Sequence, residues 1–253
     1  MNILRFSNVF LVLFSILLLV SCTDEPIDSL LASQTQQPEN NNGGSGGLIT
    51  APDYWPTALN NEWIMKFNGV EQTPMKIISI DNIDNHTYFT FNQATGQGGG
   101  AIAGGIQRIR KNAGDYYIKL ENISINAGVN TGTQTGYEML FFKDYLNVGE
   151  TWTGSYEQTT TYTNPQIPVI SMNTTYTGTI LETAATVSVN GVSYTNVIKM
   201  KIHQIVETTG LPTSQIDTEY WMAKDVGPLK TIVYSAGTTT PQSTSELVAY
   251  TLN

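Results

Sequence analysis

Two histidines and twenty-one carboxylates are the acid/base groups this chain offers. His203, with Glu207 four residues on and on the same side of an alternating strand, is the imidazole–carboxylate pairing that spacing suggests for proton transfer. Lys199 and Lys201 share that side, so a solvated strand face explains the alignment as well, and that is the preferred reading. Glycoside hydrolysis needs two acids at a set separation, and nothing singles out two of the twenty-one. A zinc cluster needs about four soft ligands, which Cys22, His86 and His203 do not supply. Asp81-Asn82-Ile83-Asp84-Asn85 offers oxygen ligands but lacks the EF-hand spacing and its glycine. Asp and Asn between two strands are turn formers, so a turn is expected there. No catalytic residue, metal site or cofactor is expected.

Two glycine-rich matches fail on context. Gly43-Gly44-Ser45-Gly46-Gly47 fits the G-x-S-x-G nucleophile elbow, which works because a strained strand-to-helix turn presents the serine. Neither element flanks Ser45. Gly96-Gln97-Gly98-Gly99-Gly100-Ala101 fits a dinucleotide fingerprint, which requires a helix N-terminus inside a βαβ unit. The residues that follow, 102–111, read as strand.

The residue with the clearest chemistry is Cys22, the sole cysteine. Having no second thiol, it forms no disulfide within the chain. It follows a short positive region with Arg5 and an apolar run, VFLVLFSILLLV at positions 9–20. That run is well short of the about 20 residues a membrane span needs and suits a signal peptide. Leu19-Val20-Ser21-Cys22 resembles the bacterial lipobox. The resemblance implies diacylglycerol on the Cys22 thiol, cleavage before it, and acylation of the new amine. Several acyl chains, at about 0.8 kcal/mol per buried methylene, make such an anchor effectively permanent. Thr23 follows, then Asp24 and Glu25. No Asp stands directly after the cysteine, where it resembles an inner-membrane retention signal. Acids two and three places on resemble the surface-export signal of Bacteroidota lipoproteins. The expectation is outer-membrane anchoring with outward display.

Residues 22–48 are rich in Gln, Asn, Ser and Gly with no apolar period, and read as a lipidated flexible tether. At roughly 5–6 Å × √n it reaches on the order of 25–30 Å. Asp28-Ser29-Leu30 within it resembles a Bacteroidota O-glycosylation site. Net charge is −9; loss of Arg5 with the signal leaves 11 Lys and Arg against 21 Asp and Glu, a net of −10. An acidic chain with no basic cluster is not a nucleic-acid binder.

From residue 49 onward the hydrophobic period is two. Trp63, Met65 and Phe67 share a face. Tyr116, Ile118 and Leu120 alternate with Tyr117, Lys119 and Glu121. Asn190-Gly191, set between alternating runs, is the strongest hairpin signal, after which Ile198, Met200 and Ile202 oppose Lys199, Lys201 and His203. No stretch reads as a long helix. Residues 49–253 are therefore expected to be one all-β domain, antiparallel and strongly curved, an open barrel or sandwich of about ten to twelve strands. Leu59 to Trp63 and Val148 to Trp152 echo each other, each placing a turn residue before a strand tryptophan, and a duplication would produce that echo.

Tyr220 to Lys230, YWMAKDVGPLK, looks like the Y-W-x-A-K-x-V-G-x-x-K segment of a group of uncharacterised Bacteroidota lipoproteins. Their early Y-x-P-x-x-x-x-N-x-W segment has its counterpart in Tyr54-Trp55-Pro56 and Asn61-Glu62-Trp63, and their V-G-x-x-W in Val148 to Trp152. The resemblance implies an open, curved antiparallel sheet distantly like lipocalins, and it brings no catalytic residues.

The expected function is non-enzymatic: an outer-membrane lipoprotein whose domain binds a small apolar molecule, a glycan or a partner protein. A structural accessory subunit of an envelope complex is the alternative, and a hydrolase with unrecognised carboxylates the third. Trp63, Trp152 and Trp221 sit on strands and suit core packing. Trp55, beside Pro56 at the start of the domain, is the tryptophan expected to be exposed and to touch a ligand.

Overall fold

The computed structural model describes residues 53–92, 102–103, 105–127 and 130–253. The signal peptide, Cys22, the tether with Ser45 and Asp28-Ser29-Leu30, and the glycine-rich match at 96–101 lie outside the described residues.

Among the described residues there are sixteen antiparallel strands. In chain order they are β1 (Glu62–Phe67), β2 (Val70–Glu71), β3 (Met75–Ile83), β4 (His86–Phe91), β5 (Ile102–Ala103) and β6 (Gln107–Asn112). Then follow β7 (Asp115–Leu120), β8 (Ile123–Ala127), β9 (Asn130–Gln134), β10 (Tyr137–Lys143) and β11 (Thr151–Tyr162). The last are β12 (Ile170–Val189), β13 (Val192–Thr208), β14 (Ser214–Ala223), β15 (Gly227–Ser235) and β16 (Pro241–Thr251). The expected ten to twelve is too few. The additional strands are short or weakly patterned: β2 and β5 have two residues each, and β9, NTGTQ, has no apolar residue to show a period.

All belong to one sheet, in the order β10-β7-β6-β4-β3-β1-β16-β15-β14-β13-β12-β11-β9-β8-β5, with β2 beside β1. Two six-strand meanders make up most of it, β1-β3-β4-β6-β7-β10 and β11 to β16, joined where β16 pairs with β1. The meanders start alike. Asn60 and Gly149 both take positive φ, 69° and 86°. The Asn60 amide donates to the Ile77 carbonyl and the Ile77 amide to the Asn61 carbonyl; Gly149, Ile180 and Glu150 repeat the pair of bonds. The echo seen in the sequence is thus a repeated structure.

The sheet is curved and does not close into a barrel through a strand ladder. Side chains join its edge instead. The Leu140 amide on edge strand β10 donates to the Tyr176 hydroxyl (3.0 Å), and the Trp152 indole donates to the Leu140 carbonyl (3.1 Å). Unpaired edge groups invite strand addition, and these two bonds occupy both main-chain groups of Leu140.

The Asn190-Gly191 turn has φ of 47° and 82°, the left-handed pair that a type I′ turn requires. Its hairpin bends at irregularities in the β12–β13 register near Glu182 and Ala185. The tip then reaches the β1–β16 seam in the middle of the sheet, where the Asn190 amide side chain donates to the Leu247 carbonyl and accepts from Lys66. Val187, Val189 and Tyr194 of this arm join the core with Trp63, Ile77, Met200 and Leu247.

Strand direction places the chain ends at one pole. The lead-in at 53–61, the 84–85, 113–114 and 224–226 turns, and Asn253 lie there; the 68–74, 163–169, 209–213 and 236–240 loops lie at the other.

Candidate functional site

A polar constellation grips the lead-in segment. Lys111 donates to the Asp53 carboxylate (2.7 Å) and to the Trp55 carbonyl (3.1 Å). The Tyr54 amide donates to the Tyr116 hydroxyl (3.0 Å), which donates onward to Asp144 (3.1 Å). The Asp225 amide donates to the Asp53 carbonyl (2.6 Å). Asn61, fully buried, donates to the Pro56 carbonyl and accepts from the Asn253 amide, tying together both ends of the domain.

Burial raises the Asp144 carboxyl above its ordinary range, with Asp53 and Asp115 adding to the rise and the Tyr116 bond opposing it. Burial pushes the Tyr116 phenol far up. A carboxyl with a raised pKa beside a lysine and a phenol is a pattern also found in active sites. Here the polar contacts run to main-chain groups at 53–56, so the arrangement serves as a clamp. The stretches 54–63 and 220–230 meet at this pole: Trp63 donates to the Val226 carbonyl (2.7 Å), and the Asp225–Asp53 bond lies beside it.

Trp55 is not exposed. It is 4% accessible and packs against Phe91 and Phe141, ring centroids 5.9 and 6.0 Å away. The reason is local: its amide donates to the Asp53 side chain, a turn that folds the indole inward instead of along the chain. Its Nε1 has no hydrogen-bond partner among the described residues. Trp63 and Trp152 are buried as expected, and Trp221 is half-buried between Lys199 (4.8 Å) and Lys230 (5.1 Å).

Aromatic side chains fill the concave side. Phe141 meets Tyr220 edge-on at 4.8 Å, and Tyr137 stacks on Tyr156 at 4.1 Å and 9°. Gln204 donates to the Tyr156 hydroxyl (3.1 Å). Burial pushes the Tyr220 phenol up to about 12 and raises Tyr137 and Tyr156 as well.

Two open depressions lie on the outer side. One, of about 400 Å³, is lined by Thr153, Ser155, Thr175, Thr177, His203 and Ile205 among others. The second, of about 460 Å³, includes Ser124, Asn126, Thr131, Thr133, Thr161 and Tyr162.

His203 and Glu207 are not partners. The His203 Nδ1 lies 2.6 Å from Asp217, which faces it across the β13–β14 ladder, while exposed Glu207 faces Asn173. The hairpin centred on Gly210 carried the signal for this register, but spacing within one strand could not show it. Asp84 and Asn85 form a turn, with φ of 50° and 63°. Asp81 belongs to β3, where the bond from Thr90, with those from Ser79 and Arg108, holds its carboxyl below the ordinary range. Among the described residues no group of three or more His, Cys, Asp or Glu is placed to hold a metal ion.

No family model matches the chain, and no curated protein matches it. Two solved structures are similar. A candidate lipoprotein from Parabacteroides distasonis is 12% identical with a TM-score of 0.52, over 78% of this chain and 98% of that one. A candidate exported protein with a YmcC-like fold from Bacteroides fragilis is 14% identical with a TM-score of 0.51, over 80% of this chain and all of that one. At such identities the likeness shows a shared fold.

Proposed function

We propose that this chain is a lipid-anchored envelope protein, held in the outer membrane through Cys22, whose domain is a non-enzymatic docking module that engages its partner on the outside of the sheet. The observation that carries this reading is the filled concave side. A carrier for a small apolar molecule encloses a cavity, commonly of about 300–1,000 Å³, whereas Trp55, Phe141, Tyr220 and the Tyr137–Tyr156 stack occupy the corresponding volume here. The lipobox resemblance supports the anchor. The clamp on the lead-in supports a fixed orientation of the domain relative to its tether. The solved relatives in fold, one described as a candidate lipoprotein and one as a candidate exported protein, are consistent with an envelope location.

Native mass spectrometry of the chain purified from its own membranes tests the reading. Expected are an N-terminus at acylated Cys22 and no second bound lipid. Stoichiometric lipid or another small apolar molecule held by the domain overturns the docking reading. A Cys22→Ser chain should leave the membrane fraction; one that stays overturns the anchor.

A further inference from the structure

The fold gathers the uncharged parts of the sequence into one wing. Residues 122–137 and 158–181 contain no Asp, Glu, Lys, Arg or His. Distant in sequence, they supply β8, β9 and much of β11 and β12, which lie side by side at one end of the sheet. Ion pairs of the described residues lie elsewhere, such as Asp81–Arg108 and Arg110–Glu138 on the first meander and Lys230–Glu246 on the second. Outward strand positions there bear charges freely, so the fold does not impose the neutrality of the wing.

Polar groups on the outer side of this wing align across strands. Ser124 faces Thr133, which faces Thr161. In the adjoining row the Thr131 and Thr163 hydroxyls meet at 2.7 Å. Such rows repeat at the strand spacing of about 4.8 Å, and the second open depression lies on them. Glu157 is the sole charged residue from 151 to 181.

A hydroxyl both donates and accepts, and a surface made of hydroxyls and amides without fixed charge complements a ligand of the same kind. An anion finds no cation in these rows. A protein partner favours aromatic and Arg anchors, while Ser and Thr are under-represented at binding hot spots. We propose that the outer face of the β8–β9–β11–β12 wing binds a neutral glycan chain. The proposal rests on the docking reading and names its partner class.

Affinity electrophoresis of the full mature chain through gels holding dextran, mannan or xylan, with polygalacturonate as the anionic comparison, tests it. Retarded migration in at least one neutral gel is expected. A Thr133→Glu/Thr161→Glu chain should lose that retention by about tenfold or more in apparent association, corresponding to about 1.4 kcal/mol. The milder Thr133→Ala/Thr161→Ala pair serves if the acidic pair fails to fold. Unchanged mobility in every neutral gel, retention by polygalacturonate alone, or retention that ignores folded variants each overturns the glycan assignment. A photo-crosslinker at Thr161 that captures an envelope protein, with no glycan retention, overturns the glycan assignment and leaves the docking reading intact. Bound lipid in native mass spectra overturns the docking reading itself.

Discussion

Trp63 and Trp152 hold the same place in the two meanders. Each is the second residue of its opening strand, each indole donates to a main-chain carbonyl, Val226 and Leu140 respectively, and each ring lies against a glycine, Gly227 and Gly178. The equivalence also separates their tasks. Trp63 pins the β14–β15 turn to the lead-in pole, whereas Trp152 holds the free edge strand.

The glycine under Trp152 is therefore a sensitive point. A Cβ at Gly178 would fall within the indole's own volume. Forcing extra volume into a packed site costs about 1–3 kcal/mol and occasionally more. Gly178→Ala should lose about 3 kcal/mol in urea denaturation, and a loss below about 0.5 kcal/mol would contradict the packing described.

Edge strand β10 should respond selectively to loss of its side-chain bonds. Tyr176→Phe removes the acceptor of the half-buried Leu140 amide, and loss of such a hydrogen bond costs about 0.5–1.5 kcal/mol. Hydrogen exchange should quicken at Leu140 while the β13 and β14 ladder amides keep their protection. Uniform acceleration across the domain would refute a local role.

Two aspartates should give opposite pH profiles. Asp144 has a raised folded pKa, so its favourable contribution is complete below about pH 4 and is lost as pH rises through the raised value. Asp81 has a lowered one, so its contribution is present above about pH 4 and is lost as pH falls through the lowered value. Relative to the parent, Asp144→Asn should gain stability with increasing pH, and Asp81→Asn should recover as pH falls. Parallel profiles by chemical denaturation would count against both assignments.

The buried phenols set an alkaline limit. Tyr220, raised to about 12, together with Tyr137 and Tyr156, favours the folded chain below about pH 10, and this contribution is lost as pH rises through the folded values. Ultraviolet absorbance should show exposed tyrosinates forming first, and a further group only as circular dichroism reports unfolding. Smooth ionisation of every tyrosine before unfolding would disprove their enclosure.

Alternation in the sequence was enough to show strands where one face is apolar and the other wet, as at 198–203, and the Asn190-Gly191 turn. It could not show β9 or the distal half of β11, because Thr and Gly lack the contrast on which alternation depends. Trp55 was misjudged because its burial depends on a turn with Asp53 and on rings from β4 and β10. The His203–Asp217 pair needed a register between strands. The neutral wing was present in the composition of two separate stretches, but only the sheet order made them neighbours.

Both ends of the domain leave from one pole, where Asn61 bonds to Asn253. The connections at 68–74, 163–169, 209–213 and 236–240 therefore answer to no attachment. They can lengthen, shorten or exchange sequence while the bonds that hold residues 53–61 stay as they are, which makes that rim the ground on which related sequences can diverge without disturbing the opposite pole.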